Sequence, residues 1–466
     1  MKVLMLGWEF PPYISGGLGT ACYGLTKGLT ELGIQVLFVL PRAVYAPRHS
    51  HVTVLTPAGA ATGAALDPEE SAYLQDVPNL RIEEVDVALR PYMSPEEYEV
   101  HAAGKSQSVS GFQVIPAGST VPEHSTKGAP IIDLPGSGGP GSLHAPPGGA
   151  GAHYGSDLFI EIERYARLAA VIARREQFDV IHAHDWMTYP AGIAAARASG
   201  KPLVIHVHST EFDRSGEHVN QRIYDIERMG VHAATRVIAV SFLTRNVLLS
   251  RYGASPERVA VVYNAIDPAN DGGGAPLPSI RRDEKIVLFL GRITMQKGPE
   301  YFLAAAKKVL ERMPNVRFIM AGSGDMVRRT IEMAAEMGIG HKVLFTGFLR
   351  GNDVARVFKM ADLYVMPSVS EPFGIAPLEA LSHDVPAIIS KQSGVSEVLK
   401  HVLKVDFWDV NEMANKIVAV LRHPPLQRTL QIHGSFEVKR LRWKDSAAKC
   451  ADVYRQSQES VAPAPA

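Results

Sequence analysis

Short apolar runs alternate along this chain with longer stretches in which apolar positions recur every three or four residues. The runs read as strands buried on both faces, and the stretches between them as helices lying over those strands. That alternation is the pattern of parallel sheets covered by helices. Strands are expected near residues 3–6, 36–40, 180–182, 203–206, 237–240 and 259–262. The pattern then restarts near 286–290 and continues through 316–320, 343–345, 363–366 and 387–389. Between the two series, Asn264-Ala265-Ile266-Asp267 leads into a stretch from 268 to 278 rich in Gly, Pro and Asp, which has the composition of a linker. The expectation is an α/β chain of two Rossmann-like domains, over 1–265 and 279–440, with parallel sheets facing across a cleft. Its 466 residues exceed what one hydrophobic core organises.

Two regions depart from the alternation. Residues 102–155 contain Pro135-Gly136-Ser137-Gly138-Gly139-Pro140 and Pro146-Pro147-Gly148-Gly149-Ala150-Gly151, which cannot build a core and read as a long surface loop. At the other end, Trp443 opens a helical pattern through Ala447, Cys450 and Tyr454, giving a final helix over 441–459. A tail over 460–466 is expected to be disordered.

Composition narrows the partners. Lys+Arg and Asp+Glu are equal at 48 each, so no net field draws nucleic acid or an anionic membrane. Two cysteines, Cys22 and Cys450, form no disulfide framework and fit a reducing cytoplasm. The opening apolar run is cut short by Gly7-Trp8-Glu9-Phe10-Pro11-Pro12, too early for a signal peptide. No stretch reaches the roughly 18 apolar residues that a membrane-spanning helix needs.

Four constellations carry candidate chemistry. Glu371-Pro372-Phe373-Gly374-Ile375-Ala376-Pro377-Leu378-Glu379 follows an apolar run and sets two carboxylates eight apart around a glycine and a proline. Pro377 suits the start of a helix, which puts Glu371 on the preceding loop and Glu379 in the first turns. Amides near Gly374 and Ile375 then lie at the positive end of the helix dipole, so the segment offers an anion cradle between two acceptors. A phosphorylated sugar needs that combination. Gly291-Arg292-Ile293-Thr294-Met295-Gln296-Lys297-Gly298 follows the first strand of the second series and puts two cations five apart on one loop. Two fixed cations stabilise charge on a departing diphosphate, commonly worth about 10²–10³-fold in rate per group. Ser15-Gly16-Gly17-Leu18-Gly19-Thr20 opens a helix and permits close approach to a phosphate, though it is not the G-x-G-x-x-G fingerprint of dinucleotide enzymes. His182-Ala183-His184-Asp185-Trp186 and His206-Val207-His208-Ser209 each place two imidazoles on one face of a strand. His182 and His206 read as core histidines satisfied by backbone carbonyls. A zinc site on the two H-x-H pairs, as in a metallohydrolase, is the competing reading. It leaves Glu371, Arg292 and Lys297 without a role and expects a barrel.

The Glu371–Glu379 segment resembles the Glu-x7-Glu signature of retaining glycosyltransferases of the two-domain GT-B fold, specifically family 4 and the related glycogen synthases. The resemblance runs from Met1 to about Tyr454 and fails near residues 60–155. It implies a retaining hexosyltransferase that moves a sugar, glucose in the first instance, from a nucleotide diphosphate sugar to a hydroxyl acceptor. By the same resemblance Arg292 and Lys297 hold the diphosphate, Glu371 the sugar hydroxyls, Glu379 the ribose, and His184 orients the donor sugar. Gly16, Gly17, Gly322, Gly324, Phe348, Leu349, Phe373, Gly374 and Ile375 complete the donor site, with Asp185 and His208 on the acceptor side. The final helix is expected to cross back onto the first domain. With no Asp-x-Asp in the chain, neither a metal nor a cofactor is expected beyond the nucleotide sugar itself.

The chain departs from the glycogen-synthase pattern at Ile14, where those enzymes carry lysine, and at Asp384, where relatives carry glycine. Trp8-Glu9-Phe10-Pro11-Pro12 and Tyr154-Gly155-Ser156-Asp157-Leu158-Phe159 nevertheless look like the glycogen-synthase side, so the expected acceptor is an α-glucan. A lipid-linked or small-molecule acceptor is the alternative, and a non-catalytic sugar-nucleotide binder would more readily have lost Glu371 or Lys297.

Overall fold

The computed structural model describes residues 1–11, 16–41, 80–85, 156–267 and 284–460. The 102–155 loop, the 268–278 linker, Ile14, Ser15 and the tail after Ser460 lie outside the described residues. Met1–Arg90 together with Ser156–Ala466 form one compact unit.

Two parallel sheets organise that unit. The first has the order β3-β2-β1-β4-β5-β6-β7, built from β1 Lys2–Leu6, β2 Gln35–Pro41, β3 Leu80–Val85, β4 Val180–His184, β5 Leu203–Val207, β6 Arg236–Ala239 and β7 Val259–Val261. The second has the order β10-β9-β8-β11-β12-β13, from β8 Lys285–Leu290, β9 Val316–Ala321, β10 Val343–Gly347, β11 Leu363–Met366, β12 Ala387–Ser390 and β13 Leu403–Val405. Alternation within each strand feeds two cores. On β8, Val287 and Phe289 join Phe302, Phe318 and Ile417 on one face. Ile286 and Leu288 join Phe358, Tyr364 and Leu378 on the other. Each such buried side chain contributes about 1.5–3 kcal/mol of hydrophobic stabilisation.

In both sheets the order of strands reverses beside the first strand of the series, between β1 and β4 and between β8 and β11. Loops that leave neighbouring strands in opposite directions open a crevice at their carboxyl ends, where ligands of such sheets bind. Glu9 and Gly16 follow β1, His184 ends β4, Arg292 and Lys297 follow β8, and Glu371 follows β11. The candidate chemistry therefore stands at the two switch points.

Two strands were not anticipated from the apolar pattern. β3 carries Arg81, Glu83 and Glu84 among its six residues, as an edge strand does. β13 is three residues long and also lies at an edge. β4 and β5 run beyond the expected ends, which brings His184 and Val207 into the strands themselves. The final helix, Trp443–Glu459, packs along the first helix, Gly17–Glu31, and over β4, β5 and β6. Asp384 takes the left-handed conformation, at φ 58°, that a relative's glycine would fill. No described helix is long and apolar enough to cross a membrane.

Candidate functional site

On the second sheet, the loops after β8 and β11 are tied to each other. The Val369 amide donates to the Gln296 carbonyl at 2.9 Å. This seats Lys297, at the end of a short 3-10 turn, against the first carboxylate of the signature. Lys297 Nζ donates to Glu371 Oε2 at 2.5 Å, and Ser368 Oγ donates to the same oxygen at 3.0 Å. Glu371 is 6% exposed, so its charge is held by one cation and one hydroxyl in a place largely closed to water. Arg292, on the same loop as Lys297, reaches back to Gln296 Oε1 at 3.4 Å.

Loops after β9 and β10 dock onto this base. Ile293 donates its amide to Ser323 at 2.8 Å, and Gly322 to Gly347 at 2.9 Å. A side chain at 322 is excluded, because its Cβ would stand 1.8 Å from the Gly291 carbonyl oxygen. Gly322, Gly324, Phe348 and Leu349 thus share one edge with Arg292. Phe348 is 52% exposed, with the Arg350 guanidinium over its ring at 5.4 Å from the centroid, while Leu349 packs on the sheet's core. Glu379 lies in the first turn of the helix Ala376–Ser382 and is partly open. Burial pushes its carboxyl up to about 7. Phe373 is buried beneath, Gly374 turns the chain at φ 100°, and Ile375 stands at the helix's N-cap.

On the first sheet, the glycine loop after β1 already holds a carboxyl group. Glu9 is buried, and its Oε2 accepts the Gly19 amide at 3.0 Å. A Cβ at Gly16 would lie 2.7 Å from that oxygen, so a side chain there would push the Glu9 carboxyl out of its place. Burial pushes the Glu9 carboxyl up to about 7, while the Gly19 amide, Arg292 and the Gly16 amide pull it back. Arg292 of the second sheet is therefore felt across the cleft at the glycine loop. Glu9 was not singled out from sequence, although a carboxylate inside the apolar run Trp8–Pro11 just after a strand is a readable signal.

The four histidines form one row. His184 Nδ1 and His208 Nε2 share a hydrogen bond at 2.9 Å, and His182 Nδ1 shares one with the Tyr454 hydroxyl at 2.6 Å. Ring centroids of His182 and His184 are 4.2 Å apart, as are those of His206 and His208. Burial holds the row neutral, pushing His182 down to about 3 and lowering His184, His206 and His208 as well. Asp185 closes the strand end at φ 59°, its Oδ1 accepting the His208 amide at 2.7 Å and the Ser209 amide at 3.3 Å. His182 and His206 are core histidines, but the expected carbonyl partners are not what holds them. His182 pairs with a tyrosine, and both ring nitrogens of His206 are buried without a hydrogen-bond partner in the described residues.

Donor atoms of His182, His184 and His206 lie within 4.8 Å of one another. Tetrahedral zinc, with Zn–N near 2.0–2.1 Å, sets its ligand atoms about 3.3 Å apart. The rings of His182 and His206 lie 9° from parallel and stacked at 5.3 Å, so their in-plane lone pairs run side by side. The geometry is that of a ring stack.

The Glu371 loop is bonded to the first sheet's half on both sides of the carboxylate. Ser370 Oγ donates to Asp213 Oδ1 at 2.6 Å, and Thr244 Oγ1 donates to the Pro372 carbonyl at 3.4 Å. Glu397 accepts the amides of Phe242 at 2.9 Å and Leu243 at 2.7 Å and the Tyr263 hydroxyl at 2.9 Å, capping a helix across the same boundary. These pairs join residues more than a hundred positions apart and carry no local sequence signal.

Three family models match successive parts of the chain: the starch synthase catalytic domain over residues 2–100, glycosyltransferase family 4 over 142–270, and glycosyl transferases group 1 over 278–434. An uncharacterized glycosyltransferase of Methanocaldococcus jannaschii is 29% identical over 413 residues, covering 86% of this chain and 83% of that protein. A glycogen synthase of Mycobacterium tuberculosis is 23% identical over 464 residues, covering 97% of this chain and 94% of that enzyme. Among solved structures, a sucrose-phosphate synthase from Thermosynechococcus elongatus superposes with a TM-score of 0.68 at 18% identity, over 98% of this chain and 99% of its own.

Proposed function

We propose that this chain, a glycosyltransferase of the GT-B type, moves glucose from a nucleotide diphosphate sugar to a hydroxyl of an α-glucan, with retention of anomeric configuration. The observation that carries this reading is the Lys297–Glu371 pair at one switch point, with Arg292 on the Lys297 loop and a glycine loop and His184 at the other switch point. As the glycosidic bond breaks, negative charge grows on the outer phosphate and positive charge on the anomeric carbon. Arg292 and Lys297 meet the first and Glu371 the second, so the arrangement favours the transition state over the bound substrate. Gly16 and Gly17 approach the phosphates from the first sheet. Glu379 takes the ribose, Phe348 and Leu349 border the base, and His184 orients the donor sugar, with Asp185 and His208 towards the acceptor.

Glu371 is held by Lys297 and Ser368, a setting suited to binding hydroxyls and balancing charge. Same-face attack, with the departing phosphate taking the acceptor's proton, fits that setting better than a covalent glycosyl-enzyme. Because the charge on the diphosphate is met by side chains, the transfer is proposed to need no divalent metal and no cofactor, in a cytoplasmic setting. The likeness to a glycogen synthase along nearly the whole chain supports the α-glucan acceptor. The test is incubation with ADP-, UDP- and GDP-sugars, with and without α-glucan, reading released nucleotide and product anomer by NMR. Nucleotide release that ignores glucan and responds to a lipid-linked or small-molecule acceptor replaces the acceptor assignment. An inverted product removes the mechanism.

A further inference from the structure

We propose that Tyr454, on the chain's final helix, is a positioning residue for His184, acting through His182. The inference rests on the role given to His184 above and concerns what holds that ring in place.

Tyr454 is fully buried, and burial raises its phenol far above the usual range, so the hydroxyl keeps its proton. A buried O–H donates where it can, and Tyr454 Oη lies 2.6 Å from His182 Nδ1. His182 is itself neutral, so an accepting Nδ1 places its one proton on Nε2. That tautomer leaves the Nε2 proton buried with no hydrogen-bond partner among the described residues, so the phenol's O–H alone selects it and the ring orientation. A half-turn of the His182 ring would exchange Nδ1 for a carbon and leave the phenol unpaired in the core.

The fixed ring is the wall against which His184 packs. The two residues stand two apart on β4 and share a face, with centroids 4.2 Å apart. On its other side His184 is held by the 2.9 Å bond to His208. His184 therefore has one neighbour anchored by the final helix and one anchored on the loop after β5. The final helix is seated independently of this row, by the Ser446 hydroxyl donating to the Tyr263 carbonyl at 2.7 Å. Its seat is thereby transmitted to the buried His184 ring through His182, which lies 272 positions from Tyr454 in sequence.

Tyr454→Phe removes the hydroxyl and keeps the ring. In the full chain, transfer at saturating nucleotide sugar is expected to fall roughly tenfold to a hundredfold, the scale of a small misplacement of a reacting group. Nucleoside diphosphate affinity should stay within about twofold. Long-range proton–nitrogen NMR on histidine-labelled protein, with the His182 signals assigned through His182→Asn, should show the Nε2–H tautomer in the unsubstituted chain and a mixture in Tyr454→Phe. His182→Asn, which removes the wall while leaving Tyr454 in place, should show the same loss of turnover and gives a second route should Tyr454→Phe not fold. Normal turnover in folded Tyr454→Phe, or an unchanged His182 tautomer, overturns the proposal. His184→Ala separates the two readings: if it transfers normally, the role of His184 falls and this inference with it. If it is inactive while Tyr454→Phe is normal, only the positioning role falls.

Discussion

Lys297 Nζ stands 2.5 Å from Glu371 Oε2, so the two groups assigned to opposite sides of the scissile bond hold each other directly. The pair sets a buried side chain on the loop after β11 against a cation on the loop after β8. A donor phosphate entering beside Lys297 competes for the same ammonium, leaving Glu371 with more of its charge to offer the anomeric carbon.

Removing either cation should therefore separate structure from chemistry. Lys297→Ala leaves Glu371 without its ion partner at a largely closed position and should cost stability, by about 1–3 kcal/mol, as well as turnover. Arg292→Ala should reduce turnover about 10²-fold or more with a smaller change in melting temperature. Thermal melts and saturation kinetics on both variants decide the matter. Near-normal turnover in either one sinks the diphosphate assignment.

The strands and their loops were legible because the information is local. Leu363-Tyr364-Val365-Met366 is apolar throughout and is buried throughout, and the loops after β8 and β11 announce themselves by Arg292, Lys297 and Glu371. β3 was hidden because Arg81, Glu83 and Glu84 interrupt its apolar residues, as an edge strand tolerates. The pairings that seat the site were hidden for a different reason. Tyr454 with His182, Ser370 with Asp213, and Glu397 with the Phe242 and Leu243 amides each join distant segments through one contact. Periodicity reports which face a residue takes, never which distant residue meets it there. The glycine loop shows the limit best: Gly16 reads as space for a ligand's phosphate, and the structure shows that the Glu9 carboxylate also lies against it.

Buried Glu9 should leave a mark on the pH dependence of stability. Its folded value is raised to about 7 from an ordinary 4.5, so the folded chain holds an extra proton between those limits. Its contribution is fully present below about pH 4.5 and is lost as pH rises through 7, at up to about 1.4 kcal/mol per pH unit. His182, lowered to about 3, works in the opposite sense between pH 3 and 6.5 but is common to both proteins compared. Glu9→Gln should therefore gain stability relative to the unsubstituted chain from pH 5 to 7, with the difference levelling off above pH 8. Urea unfolding across that range measures it. A difference that does not change with pH means that Glu9 is charged in the fold at all these values.

Transfer should proceed at its full rate in EDTA if, as proposed, Arg292 and Lys297 supply the positive charge that a divalent ion would bring to the diphosphate. The assay is donor turnover before and after exhaustive chelation. Loss of activity, restored by zinc or manganese, would return the histidine row to consideration as a ligand set.

The two carboxylates of the signature should separate under the same isosteric change. Glu371→Gln keeps the reach of the side chain but removes the charge that Lys297 and Ser368 hold and that balances the anomeric carbon. Transfer should fall far more than nucleoside diphosphate affinity, because the lost interaction matters mainly in the transition state. Glu379 stands in the first turn of the next helix, partly open, with burial rather than an ion partner setting its carboxyl. Glu379→Gln loses one acceptor towards the ribose, so nucleotide binding should weaken first and the saturated rate should change less. Calorimetric titration with ADP, UDP and GDP, beside transfer rates at saturation, reads both quantities. If Glu371→Gln loses nucleotide binding while Glu379→Gln keeps it, the donor lies across the loop in the opposite sense, with its ribose at Glu371 and its sugar at Glu379.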